Sequence, residues 1–287
     1  MKTVGLIGLG LVGAAVARRW IAQGWTVVGY DVIAERRSEF HALGGESVGG
    51  PAEVARRCRT VVLSLPDSQI VARVVTEFED KLRAGDLVID MTTGRPEDTL
   101  ALAERLERRG AILVDATIVG SSQQIADGAA VVLAGGPSDA VTTSEPLTRG
   151  FAERVFSVGP VGSGARMKLV VNLVLGLNRA VLAEGLALAR AAGFDPALAL
   201  DVLRQSPAAS AVMTTKGPKM VSGDFTPQAR LAQHAKDVDL ILELGRRLDA
   251  SLPLSSVHRE LLGQAIAAGW GQFDNSAIAK VFERRDV

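Results

Sequence analysis

Thr3-Val4-Gly5-Leu6-Ile7-Gly8-Leu9-Gly10-Leu11-Val12-Gly13 is the stretch that decides the fold. The apolar run Thr3 to Ile7 stops at a glycine, which has the length and flank of a buried parallel strand. Three glycines then follow at G-x-G-x-x-G spacing and open a helical pattern through Arg19. A second apolar run, Thr26 to Tyr30, closes with Asp31, about 20 residues beyond the glycines. Strand, glycine loop, helix, strand and acid in this order form a dinucleotide-binding fingerprint. The three glycines serve different ends. Gly8 allows the tight turn, Gly10 lets backbone approach a pyrophosphate, and Gly13 lets helix and strand pack closely. Leu9, Leu11 and Val12 supply the rest of that backbone, and the helix start offers unpaired N–H groups to phosphate. Asp31 can accept from the adenine-ribose hydroxyls and would repel a 2′-phosphate, so NAD is the expected cofactor. Arg36 and Arg37 follow closely and leave NADP possible.

Outward from this unit, strands alternate with helices. Thr60 to Leu65 reads as a strand ending at Pro66, and Asp67 to Phe78 as a helix. Leu87 to Met91 reads as a strand before Thr92-Thr93-Gly94, Pro96 to Arg109 as a helix, and Ala111 to Val114 as a strand closed by Asp115. Such alternation predicts a doubly wound, mostly parallel sheet of Rossmann type with helices on both faces. Ligands of such sheets sit beyond the carboxyl ends of the strands, where Leu65-Pro66, Thr93 and the segment after Asp115 fall. Thr117 to Gly136 breaks the pattern, with a polar turn at Gly120-Ser121-Ser122 and a strand at Ala130 to Leu133. Beyond Pro160 every periodic segment looks helical: Pro196 to Arg204, Ala229 to Leu248, Leu254 to Ala268 and Ser276 to Arg285. The expected domains are therefore 1–160, an α/β dinucleotide-binding domain, and 161–287, an all-α domain for substrate and oligomerisation.

A long interdomain helix should join them. Within the stretch from Gly159 to Gly193 there is no proline between Gly164 and Ala192, and a helix over that span would be about 40 Å long. Lys168 and Asn172, four apart, share one face of it within an otherwise apolar run, and Arg179 extends the same stripe. Two readings stand at this point. The stripe is either a solvated edge of a half-exposed helix, as charged residues usually are, or a catalytic lysine in a cleft with an amide beside it.

Composition narrows the function classes. The chain has 287 residues, 47% hydrophobic and 22% charged, as expected of a globular protein. Its 32 Lys plus Arg balance 32 Asp plus Glu, which argues against nucleic acid or anionic membrane as partner. Cys58 is the single cysteine, so neither a disulfide framework nor a cysteine zinc site is expected. His41, His234 and His258 are scattered without ligand spacing, and no metal is expected. The strand-like run begins directly after Met1-Lys2, with no signal-peptide pattern. No uninterrupted apolar run reaches about 18 residues. The expected location is cytoplasmic.

With these residues in hand, the chain resembles the β-hydroxyacid dehydrogenase family, which includes 3-hydroxyisobutyrate dehydrogenase and tartronate semialdehyde reductase and is related to 6-phosphogluconate dehydrogenase. The resemblance runs from Val4 to about Phe282. The glycine fingerprint is followed by a Leu-Pro at Leu65-Pro66 and by Asp90-Met91-Thr92-Thr93 at the family's Asp-x-Ser-Thr. Asp115-Ala116-Thr117-Ile118-Val119-Gly120-Ser121 stands at its substrate loop, Gly162 to Asn172 at its Gly-x-Gly-x-x-x-Lys-x-x-Asn-Asn, and Lys236-Asp237 at a later Lys-Asp pair. The resemblance implies that Lys168 is the general acid/base and that Asn172 helps hold the substrate. It implies that Thr93 and Lys236 lie near the cofactor, and that Val119, Gly120, Ser121, Ser122 and Asp237 belong to the substrate side.

The implied reaction interconverts a 3-hydroxy acid and its semialdehyde or oxo acid by hydride transfer. A positioned acid must protonate the oxygen as hydride arrives at carbon. Three departures bear on the substrate: Val119 replaces a serine, Val171 the first of two asparagines, and Ala229 a common phenylalanine. Val119 and Ala229 predict a substrate bulkier or less polar near the carboxylate than the family's smallest hydroxy acids. An imine reductase shares this architecture but generally lacks the lysine, and a non-catalytic cofactor-binding scaffold would tend to lose it. The resemblance also implies a homodimer or homotetramer.

Overall fold

The computed structural model describes residues 2–283. The chain divides into two compact units between Lys168 and Leu169. In the first, β1 (Thr3–Ile7), α1 (Leu11–Ala22), β2 (Thr26–Tyr30), α2 (Ala34–Ala42), β3 (Glu46–Ser47), α3 (Pro51–Arg57) and β4 (Thr60–Leu63) form the opening half. There follow α4 (Ser68–Thr76), β5 (Leu87–Asp90), α5 (Pro96–Glu107), β6 (Ile112–Val119), α6 (Ser122–Ala126), β7 (Ala130–Gly135), α7 (Ser138–Thr148) and β8 (Ala152–Gly159). The eight strands make one sheet in the order β3-β2-β1-β4-β5-β6-β7-β8. Only β6 and β7 run antiparallel; every other neighbouring pair is parallel.

Alternation along the strands feeds two cores. Val4 and Leu6 of β1 enter a cluster with Trp20 and Ile89, while the intervening face carries Ile7 into a second cluster with Val28, Leu63 and Phe78. A side-chain period of two on a sheet covered on both faces requires this division. The strand order reverses at β1, whose neighbours are β2 and β4. The carboxyl ends of β1, β4, β5 and β6 therefore share one edge of the sheet, as expected for a ligand-binding edge.

The second unit is helical. It comprises most of α8 (Ser163–Ala191), then α9 (Pro196–Gln205), α10 (Ala211–Thr215), α11 (Gly217–Ser222), α12 (Leu231–Arg247), α13 (Pro253–Ala267) and a 3-10 turn at Asn275–Val281. Leu182 and Leu186 of α8 pack with Leu231 and Val238 of α12 and Leu262 of α13 in its core. Asp274 fastens this core. Its carboxylate receives Lys216 Nζ at 2.9 Å, the backbone N–H of Gln228 at 2.9 Å and the Ser276 hydroxyl at 2.8 Å. Burial alone would push this carboxyl up, but the Lys216 charge and these hydrogen bonds hold it below its ordinary range.

Three readings of the sequence need correction. Asp115 does not end a strand: β6 runs through it to Val119. The helix expected at 276–285 is a 3-10 turn capped by Asp274, and residues 284 and 285 of that span lie outside the described residues. The solvated stripe is overturned, because Lys168, Asn172 and Arg179 retain only 8%, 7% and 6% of their exposure. By length and composition α8 is apolar enough to cross a membrane, although polar residues interrupt every apolar run in it; 44% of an 18-residue apolar stretch of it is buried in the fold.

Candidate active site

The glycine loop is built by close approach. A Cβ on Gly8, whose φ is +99°, would stand 2.2 Å from the Ser64 carbonyl oxygen, and one on Gly13 would stand 1.9 Å from the Gly8 carbonyl oxygen. Loop, helix and β4 leave no room at either position. Gly10 differs: its Cβ would meet only Arg36 Nη1, at 3.8 Å. The same residue caps α1 without any side-chain hydrogen bond. Gly10 thus presents bare backbone and a helix N-terminus to an incoming anion, which fits the pyrophosphate of a dinucleotide.

Asp31 closes this loop at the end of β2. Its Oδ2 accepts from the Leu9 N–H at 2.8 Å and its Oδ1 from the Ile33 N–H at 2.9 Å. Arg36 Nη1 lies 3.3 Å from Oδ2, and Arg37 donates to the Asp31 carbonyl oxygen at 2.6 Å. Both arginines are engaged at the acid. Leu65 and Pro66 follow β4, and Thr93 follows β5 after Thr92, whose hydroxyl accepts from the Leu65 N–H at 3.2 Å. These residues line up along the strand ends with the glycine loop.

The segment after β6 reaches the same edge. Val119 is the last residue of β6 and pairs with Val131 of β7. Gly120 adopts φ +151°, and Ser121 caps α6 through a reciprocal bond pair with Gln124. The Ser121 oxygen therefore already accepts the Gln124 N–H, at 3.3 Å, and Ser122 opens the helix.

Asp115 has a part the sequence did not reveal. Its Oδ1 accepts from the Gly162 N–H and its Oδ2 from the Ala165 N–H, each at 2.8 Å. The Thr117 hydroxyl donates to the Gly164 carbonyl oxygen at 3.0 Å. The acid satisfies the first turn of α8 and pins it to the sheet, favourably placed at the positive end of the helix. A Cβ on Gly164 would lie 2.5 Å from the Leu133 carbonyl oxygen, so only glycine admits this contact. Lys168 sits one turn further along. Asp115 pairs in register with Asp90 on β5, and burial pushes both carboxyls up to about 6 despite the hydrogen bonds they accept.

In the helical unit the stripe on α8 meets α12. Asn172 Nδ2 donates to Asp237 Oδ2 at 3.0 Å, and Lys236 Nζ lies 3.2 Å from Asp237 Oδ1. The Asp237 carboxylate is thus engaged with Asn172 and Lys236. His234 of α12 and His258 of α13 tilt together with ring centroids 5.3 Å apart. Gly176 makes room for them: a Cβ there would lie 2.6 Å from His234 Nε2. No group of three or more His, Cys, Asp or Glu suited to a metal ion lies among the described residues.

A doubly wound sheet with this loop defines an NAD(P)-binding oxidoreductase fold. Residues 3–159 match the family model described as the NAD binding domain of 6-phosphogluconate dehydrogenase. Residues 162–282 match the one described as NAD-binding of NADP-dependent 3-hydroxyisobutyrate dehydrogenase. L-threonate dehydrogenase of Cupriavidus necator is 30% identical over 98% of this chain and 96% of its own. 2-(Hydroxymethyl)glutarate dehydrogenase of Eubacterium barkeri is 29% identical over 98% and 95%. The crystal structure of a 3-hydroxyisobutyrate dehydrogenase from Salmonella typhimurium superposes with a TM-score of 0.90 at 26% identity, covering 98% of this chain and all of that one. The chain belongs to the 3-hydroxyisobutyrate dehydrogenase-like family of NAD(P)-dependent oxidoreductases.

Proposed function

We propose that this enzyme interconverts a 3-hydroxy acid and the corresponding semialdehyde or oxo acid, with Lys168 as general acid/base. The observation that carries the reading is the α8 face: Lys168 and Asn172 one turn apart, both buried, with the amide held by Asp237. Gly8 to Gly13, Asp31, Leu65, Pro66 and Thr93 would hold a dinucleotide, with NAD favoured by Asp31, and Lys236 is assigned to the cofactor as well. Bound there, the nicotinamide supplies or accepts the hydride. In reduction the Lys168 ammonium gives a proton to the carbonyl oxygen as negative charge develops on it; in oxidation the amine takes the alcohol proton. Asn172, its Nδ2 committed to Asp237, presents Oδ1 as an acceptor that orients the amine or the substrate hydroxyl. The loop at Val119, Gly120, Ser121 and Ser122 is assigned to the substrate carboxylate.

Imine reduction is the weaker alternative, since the enzymes of that class generally lack the lysine present here. At position 119 a valine offers methyl groups where a serine would offer a hydroxyl, so the substrate is bulkier or less polar than 3-hydroxyisobutyrate or glycerate. We also assign the protein to a homodimer or homotetramer: Val170, Val174, Val181 and Leu188 of α8 are all more than half exposed. A cytoplasmic location fits a nicotinamide-dependent reductant supply. The test is a panel of hydroxy acids, aldehydes and cyclic imines assayed by NAD(P)H absorbance, with Val119→Ser beside the wild type. Turnover of 3-hydroxy acids, improved several-fold for the small ones by Val119→Ser, supports the reading. Turnover of imines alone sinks it.

A further inference from the structure

Arg179 stands out among the charged groups of the helical unit. It lies on α8 in the stripe begun by Lys168 and Asn172, and it is 6% exposed. Among the described residues its guanidinium makes no hydrogen bond and no ion pair, although Asp274 and Asp237 are near enough for their charges to act on it. Both acids are bonded to other groups. Asp274 is committed to Lys216 and to the turn around Ser276, and Asp237 to Asn172 and Lys236. Burial pulls the guanidinium down to about 10, so it is still a cation at neutral pH.

A second unpartnered group lies close by. His258 of α13 is 3% exposed, and its Nε2 has no hydrogen-bond partner among the described residues. Burial, and then the Arg179 charge, hold this imidazole at about 4. The charged and titratable groups that face it are Arg179 from α8 and His234 from α12, the latter with its ring centroid 5.3 Å away. A buried cation with no bonded partner is a net cost to folding, and an apolar side chain of similar volume would serve a purely structural role better. A rigid fork of donors held in a dry setting is the arrangement that recognises an oxyanion.

We propose that Arg179 and His258 form an anion-recognition site inside the helical unit, for a carboxylate-type group on a distal arm of the substrate. The proposal rests on the reading of Lys168 as the group at the reacting carbon. The Cα atoms of Lys168 and Arg179 are separated by about 16 Å along α8 at 1.5 Å per residue. Helical Cα–Cβ bonds tilt toward the N-terminus, which is the direction of Asn172 and Lys168 from Arg179. The arm is therefore several bonds long, and a substrate with a single carboxylate leaves the site unused.

The test uses 3-hydroxy acids in which the 2-methyl group is replaced by arms of two to five carbons ending in carboxylate or, at matched length, in methyl. The expected result is a kcat/KM ratio of at least tenfold for carboxylate over methyl at one arm length, falling to near one in Arg179→Met. Arg179→Lys, which keeps charge but loses the fork, should give an intermediate ratio. Binding is read separately from turnover by the imidazole protons of the three histidines. The ω-carboxy acid should raise the His258 pKa by a unit or more in the wild type and not in Arg179→Met, with His258→Gln assigning the signal. That readout survives even if no acid on the panel is turned over, which would instead sink the reaction assigned to Lys168. Ligand-free Arg179→Met should melt at or above the wild-type temperature. A His258 shift produced equally by free glutarate or sulfate, with no preference among substrates, overturns the assignment to a substrate arm. No His258 shift with any anion, or an Arg179→Met melting point several degrees lower with the substrate ratio intact, overturns the site.

Discussion

The Asn172 amide donates from Nδ2 to Asp237 Oδ2 at 3.0 Å, so a residue of α12 fixes the amide one turn from Lys168. On the function proposed above, Asp237 would act through Asn172 as a positioning residue. Asp237→Ala should lower kcat by roughly one to two decades, the worth of a hydrogen bond to a charged group at about 1.5–3 kcal/mol. KM should change less, and cofactor affinity should stay put. Steady-state kinetics on a confirmed substrate read the split; an unchanged kcat would remove Asp237 from the site.

Gly10 and Gly13 separate folding from cofactor binding. Gly10→Ala places a methyl group that meets only Arg36, at 3.8 Å, so the melting temperature should hold while dinucleotide affinity falls. Gly13→Ala drives a methyl group to 1.9 Å from the Gly8 carbonyl oxygen and should destabilise the first unit itself. Thermal melts beside fluorescence titration of NADH decide it. Equal melts and equal affinities for wild type and Gly10→Ala would refute the cradle.

Asp31 should make NADH bind more tightly than NADPH. Its carboxylate faces the loop through Leu9, and Arg36 is held at 3.3 Å from it. Asp31→Ser removes the repelling charge and frees Arg36 for a 2′-phosphate, while Arg37 stays on backbone carbonyls, so the preference should narrow or reverse. Titration of both reduced cofactors checks this, and tighter NADPH binding by the wild type would contradict it.

Much of the fold is legible in the sequence, for reasons that also explain what is not. β1 and β2 sit where the apolar runs place them, because a parallel strand covered on both faces leaves an unbroken apolar word. β8 gives no such signal: Glu153, Arg154, Phe156 and Ser157 are exposed, so this edge strand offers no buried pattern to read. Asp115 misleads because a carboxylate between apolar residues resembles a strand end, while its partners, the N–H groups of Gly162 and Ala165, lie far along the chain. Burial of the α8 stripe depends on packing that periodicity does not encode. Arg179 and His258 belong to different helices with no spacing to join them.

The buried carboxylate pair predicts a pH effect with a definite sign. Asp90 titrates near 6 folded against 3.8 for an exposed acid, because burial penalises its charge and Asp115 adds to that penalty. The folded form therefore holds the proton more tightly. Its stabilising contribution is complete below about pH 4 and is lost as pH rises to about 6 and beyond, at most about 3 kcal/mol at 1.36 kcal/mol per unit. Asp90→Asn keeps an acceptor for the Thr92 N–H, now at 2.9 Å, without the charge. It should raise the melting temperature at pH 8 and leave it nearly unchanged at pH 4. A larger gain at pH 4 than at pH 8 would reverse the sign and defeat the account.

The central claim is that Lys168 moves the proton. The most direct measurement compares wild type and Lys168→Met for NADH affinity by fluorescence and for kcat on the best substrate of the panel. The account predicts unchanged NADH affinity and a kcat lower by two to four orders of magnitude, the usual worth of a positioned acid/base. A Lys168→Met enzyme that binds NADH normally and turns over at near wild-type kcat would contradict it.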